Sequence, residues 1–213
     1  MENLQVGLLG WQWNHLSGPF YPEDLPQDWQ LDYYSNAFRV VLVPQKEWTA
    51  WDQEVLEAVI ESVESPFCFY FAIDSVEESL TPESLSRLEA SLKRIVATLK
   101  DQACGVVLWS ETPFSEHACI GGLPVTLISK TQVLPGWSWQ NQQTRISGEP
   151  LAYVSELTTD AKAQVALLKA FRQSLVESGR TGEELAAPFI IDGAKADMVQ
   201  VANLKVLAEF LGY

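Results

Sequence analysis

Histidine, methionine and cysteine are scarce in this 213-residue sequence, which holds two, two and three of them. Two histidines without clustered partners supply no zinc-type ligand set. Cys68, Cys104 and Cys119 are odd in number and lack the paired spacing of a metal site, so they read as free thiols of a reducing cytoplasm. Cations are few: 14 Lys and Arg stand against 28 Asp and Glu, for a net charge of −14. With no run of Lys or Arg to offset it, such a surface repels phosphate backbones and excludes nucleic acid as a partner. No apolar stretch is long enough to cross a bilayer, which excludes a membrane span. Met1-Glu2-Asn3 is not the basic start of a signal peptide. Gly121-Gly122 is not followed by a helix start and forms no phosphate loop. Neither metal nor cofactor is expected, and the partners left are a small molecule and a second copy of the chain.

What is present is a globular composition, with 47% hydrophobic and 20% charged residues, and a length that suits one domain over 1–213. Apolar strands alternate with amphipathic helices, a pattern that argues for an α/β protein built on a parallel sheet. Seven strands are legible, at 4–9, 39–43, 67–73, 105–109, 125–128, 151–155 and 188–191. Helices are expected from Asp24 to Phe38, after a Thr49/Asp52 capping pattern, and from Thr81-Pro82 through Leu99. Two more run from Asp160 to Ser178, closed by Gly179, and from Lys195 to Leu211. Residues 130–150 show no periodicity and read as a long loop, with Gln143 to Ile146 as a remnant strand.

The most specific stretch is 7–38. An apolar strand ends at Gly10, an aromatic loop follows with Trp11, Trp13, His15, Phe20 and Tyr21, and a helix comes next. Gly10, Trp11, Trp13, Gly18, Phe20, Tyr21, Pro22, Leu25, Pro26, Tyr33, Tyr34 and Phe38 fall in the order of the opening of the DUF72 (YecE-like) family, and from Gly10 to Pro22 the spacing needs no gap. The chain thus resembles that family, as a divergent and shortened member. The resemblance implies a TIM-type β/α barrel whose activity is not established. It also implies changes. Trp13 stands for a Tyr and Leu16 for a Trp. Leu42 and Pro44 replace Glu and Asn, Asp74 replaces Lys, and Ser110 replaces Gln. Ser155 and Leu157 replace Arg and His, and Asp192 with Gly193 replaces an Asn pair. The aromatic frame is kept and the polar lining exchanged.

A β/α barrel collects function at the C-terminal ends of its strands. There a ligand would meet Trp11, Trp13, His15, Tyr21, Trp109, Ser110 and Asp192, and the best carboxylate pair is Asp74 with Glu111. Trp11, Phe20 and Tyr21 also fit plain packing over the barrel top, and Asp74 fits a turn cap. A Ser110–His15–Asp74 triad lacks a nucleophile-elbow motif. Two readings follow: a small-molecule-binding or non-catalytic barrel, or a hydrolase-type enzyme acting on a small neutral or sugar-like molecule through Asp74 and Glu111. Seven strands leave a barrel one short. The segment 123–150 holds Leu134, Trp137 and Trp139, and is expected to cross the seam as an irregular flap or to meet its copy in a dimer, burying the tryptophans either way.

Overall fold

A computed structural model of the protein describes residues 4–75, 81–113, 119–181 and 186–213. Among the described residues, ten strands belong to one sheet. In chain order they are β1 (Leu4–Leu9), β2 (Val40–Val43), β3 (Cys68–Asp74), β4 (Ala103–Trp109), β5 (Cys119–Ile120), β6 (Leu123–Ser129), β7 (Trp137–Asn141), β8 (Thr144–Gly148), β9 (Ala152–Val154) and β10 (Ala187–Asp192). The helices are α1 (Gln30–Ala37), α2 (Gln45–Trp48), α3 (Gln53–Glu61), α4 (Pro82–Leu99), α5 (Ala161–Glu177) and α6 (Met198–Phe210).

The seven strands read from the sequence are β1, β2, β3, β4, β6, β9 and β10. They lie in the order β6-β4-β3-β2-β1-β10-β9, every neighbouring pair parallel. They are apolar runs because both faces are covered: β2 is buried at all four positions. Caps fix the helix starts. Asp52 accepts from the Val55 amide, Thr81 and Ser84 form a reciprocal capping box, and Asp160 and Asp197 accept from Lys162 and Val199. The fold is a nearly closed, barrel-like α/β sheet.

Three expectations are corrected. Residues 130–150 are not an irregular flap: β7 and β8 make an antiparallel hairpin added to β6, with Ile146 opposite both Ile128 and Trp139. The signal was a period of two, since Trp137 and Trp139 are buried while Ser138 and Gln140 face water. The first helix starts at Gln30 rather than Asp24, because Pro22 and Pro26 hold the chain in turns closed by the Leu25 and Trp29 amides. Cys68 and Cys104 are not free thiols. Parallel pairing of β3 and β4 sets their Cα atoms 5.7 Å apart, and they form a disulfide, while Cys119 is free. A separation of 36 residues hides that contact, and the disulfide removes the ground for inferring a reducing compartment.

The sheet ends at β7 and β9, which do not pair with each other. The seam between them is closed by side chains. Trp137 Nε1 donates to Ser174 Oγ on α5 at 3.0 Å, and Trp137 and Trp139 both pack on Phe171, at 5.9 and 5.2 Å between ring centroids. Trp137 and Trp139 are 3% and 5% exposed within one chain, so their burial needs no second copy.

Candidate functional site

The C-terminal strand ends surround an open cleft of about 660 Å³. Leu9, Asp74, Trp109, Tyr153 and Asp192 bring β1, β3, β4, β9 and β10 to it, and Pro44, Gln45, Lys46 and Thr49 come from the end of β2 and from α2. Trp48, at the end of α2, fixes that short helix by donating Nε1 to the Ala72 carbonyl at 2.8 Å. Gln45 accepts the Asp74 amide through Oε1 at 3.0 Å, so α2 and the tip of β3 hold each other in place. A second cleft of about 240 Å³ lies beside the first, between Trp109, Tyr153, Glu111 and the hairpin residues Asn141, Gln142, Thr144 and Ile146, with Lys130 and Ser155. Trp109 and Tyr153 meet edge to face at 5.1 Å and form the wall between the two.

Burial, together with the charge of Asp192, its hydrogen bond and the charge of Asp74, pushes the Tyr153 phenol well above the ordinary tyrosine range. The phenol therefore stays protonated as a donor. Asp192 also accepts the Ala194 amide through Oδ1 at 3.0 Å, which fixes the carboxylate at the end of β10. Gly193 follows it, and a side chain there would overlap both the Leu9 carbonyl and the Trp13 indole.

The structure brings together Asp74, Trp109 and Asp192 from the residues picked out in the sequence. Glu111 lies in the smaller cleft. Its carboxylate accepts from the Lys130 amide at 2.9 Å, from the Thr131 amide at 3.2 Å, and from the Ser129 and Thr131 hydroxyls at 3.1 and 2.8 Å. The Lys130 amide bond leads the effects that draw its pKa below the usual glutamate range. Glu111 is thus committed to the turn after β6. Ser110 is buried and hydrogen-bonds Thr112, with the two hydroxyl oxygens 3.0 Å apart.

Neither cleft is lined by Trp11, Trp13, His15 or Tyr21. The aromatic loop leaves the mouth soon after Gly10. Trp13 stays at the strand ends, donating Nε1 to the Leu9 carbonyl at 2.8 Å. Tyr21 is fully buried and donates to the Trp11 carbonyl at 2.7 Å, and Phe20 packs on Tyr33, Tyr34 and Phe38 beside α1. His15 is exposed in a short turn, 6.4 Å from the Trp13 ring.

Lys46, Gln45, Thr49 and Tyr153 escaped the sequence reading. Pro44 directly after a buried strand marks a rim turn, which could have pointed to the polar residues behind it. Tyr153, between buried Ala152 and Val154, is the odd member of a period-two strand. Among the described residues no group of three or more His, Cys, Asp or Glu side chains gathers around a point, and no helix is long and apolar enough to cross a membrane.

Comparison with known proteins agrees with the geometry. Residues 5–110 match the family profile described as "Protein of unknown function DUF72". A DUF72 family protein of Thermotoga maritima MSB8 is similar in structure, with a TM-score of 0.53 at 14% identity, the likeness covering 99% of each chain. One from Enterococcus faecalis V583 gives a TM-score of 0.49 at 10% identity, covering 97% of this chain and 95% of its own. No protein of curated function matches.

Proposed function

The chain belongs to the DUF72 family, whose activity is not established, and on that premise we propose that it binds a small molecule in the cleft at the C-terminal mouth of its sheet. One observation carries this reading: five strands converge on one cleft and supply it with an aromatic wall and two carboxylates, to which α2 adds the Lys46 ammonium. Binding does not require the Asp74–Glu111 pair expected from the sequence, and Glu111 serves its turn instead. The continuous sheet supports treating 1–213 as one domain, and the burial of Trp137 and Trp139 within one chain supports a monomer. The charge of −14 speaks against nucleic acid.

The test is a broad metabolite panel followed by NMR of the indole N–H groups. A true ligand should shift the Trp109 indole and leave that of Trp137, at the seam, in place. A panel that moves no indole, or moves only indoles remote from the cleft, would refute the reading.

A second reading has one observation in its favour. Asp74 and Asp192 line the same cleft as the Tyr153 phenol, which lies in the field of both, an arrangement that suits acid–base work in hydrolysis. Turnover of chromogenic glycosides or esters, lost in Asp74→Asn and in Asp192→Asn, would establish it. No turnover by the wild type leaves the binding reading alone.

A further inference from the structure

We infer that the mouth cleft is built for a small organic cation, a primary amine or a quaternary ammonium, held between Asp74 and Asp192 against the Trp109–Tyr153 wall. The inference rests on the reading of the mouth as a ligand site and narrows its chemistry.

Charge comes first. Among the described residues, the ionised groups lining the cleft are Asp74 and Asp192 against Lys46, a balance of −1. The whole chain carries −14, and a concave site in such a field concentrates cations and excludes anions. An anionic ligand would have one ammonium to greet it and two carboxylates to oppose it.

The wall comes second. Trp109 and Tyr153 are both only half-buried, so their edge-to-face pair closes the cleft on one side while leaving ring surface in contact with whatever fills it. Indole and phenol faces attract an organic cation through their quadrupoles, an attraction that a neutral polyol does not share. Tyr153 keeps its proton beside Asp192, so the phenol adds no third negative charge to the cleft.

Size comes third. A cleft of about 660 Å³ is far larger than a bare metal ion requires, and two monocarboxylates fall short of the six to eight oxygens that calcium takes. The opening suits a ligand with carbon around its charge.

The test measures melting temperature at physiological ionic strength with four probes: choline, cadaverine, glucose and succinate. Choline or cadaverine should stabilise the protein in a saturable way, and glucose and succinate should not. Asp192→Asn and Asp74→Asn, which keep shape and remove charge, should each weaken cation binding about tenfold, the scale of one lost charge-assisted contact. Lys46→Gln should strengthen it several-fold, a gain that misfolding cannot mimic. Stabilisation by succinate or glucose but not by the cations overturns the cation assignment and leaves the ligand site standing. Cation stabilisation that is unchanged in all three variants also overturns it, because the cations then bind the acidic surface at large. If no probe and no member of a broader panel stabilises the protein, the ligand site itself falls.

Discussion

The Tyr34 hydroxyl is shared by two strands: it accepts the Leu8 amide at 2.8 Å and donates to the Val40 carbonyl at 2.9 Å. β1 and β2 pair only at Leu8 with Val41 and at Leu9 with Leu42, so this phenol does the work of a ladder bond where the pairing begins. Tyr34→Phe would orphan a buried donor and a buried acceptor, at about 1–3 kcal/mol each. Denaturation should therefore show a loss of about 2–6 kcal/mol, and a change within error would show that water replaces the hydroxyl. The sequence placed Tyr34 on a helix with aromatic neighbours but could not reveal what its hydroxyl meets, because that depends on two strands lying on either side of it in the chain. Glu111 is a parallel case. It was read as half of a catalytic pair, yet it binds the amides of Lys130 and Thr131, some 20 residues away. Those bonds hold its pKa below the ordinary value of 4.5. A carboxyl depressed by folding adds stability that is present above its unfolded pKa and is lost as pH falls through the folded one. Glu111→Gln should flatten the acid limb of the stability curve below about pH 4.5 and leave neutral pH little changed in shape. Superimposable acid limbs for wild type and variant would contradict this.

At the scale of elements, the seven parallel strands were legible because each is a short apolar run that breaks the helical period around it. Of the hairpin only β8 was, as the remnant strand at Gln143 to Ile146; β7 was not, although Trp137-Ser138-Trp139-Gln140 alternates and Gln142 adopts a left-handed turn conformation between β7 and β8. The stretch reads as a loop because four alternating residues are too short a pattern to set a strand without the β6 edge they pair against. β7–β8 lies where a helix and a parallel strand would complete a barrel, and it carries its own apolar face to α5. Trp139 sits at the centre of that face, against Phe171, which in turn packs on Phe189 of β10 at 5.8 Å. Trp139→Ala should cost about 3–5 kcal/mol, the usual loss for a buried aromatic. If the hairpin were an ornament outside the cooperative unit, thermal unfolding of this variant would match the wild type instead.

At the scale of the molecule, the sheet is open by one pairing, and the opening adjoins the site. β9 pairs along one side only, with β10, and its three residues include Tyr153. On the other side the Asn141 side chain, at the tip of the hairpin, donates Nδ2 to the Tyr153 carbonyl at 3.2 Å. The same Tyr153 ring lines both clefts. Closure of this kind is not written in any local pattern, because it joins the end of one hairpin to the middle of the next strand, with α5 packed between the hairpin and β10. Any loosening of the seam should reach the site through Tyr153. Asn141→Ala tests this. It removes one side-chain hydrogen bond while Trp137 and Trp139 still plug the gap, so global stability should fall by only about 1 kcal/mol. Local opening is a different quantity, set by the contacts that hold one unit to the rest. Hydrogen exchange should quicken at Ala152 to Val154 while β1 and β3 keep their protection, and a ligand that shifts the Trp109 indole should bind the variant more weakly. Exchange that rises evenly across the sheet would mean the seam is part of the global unfolding unit. Exchange unchanged at β9 would mean that its pairing with β10 suffices to hold the strand, and would sever the proposed link between barrel closure and the mouth.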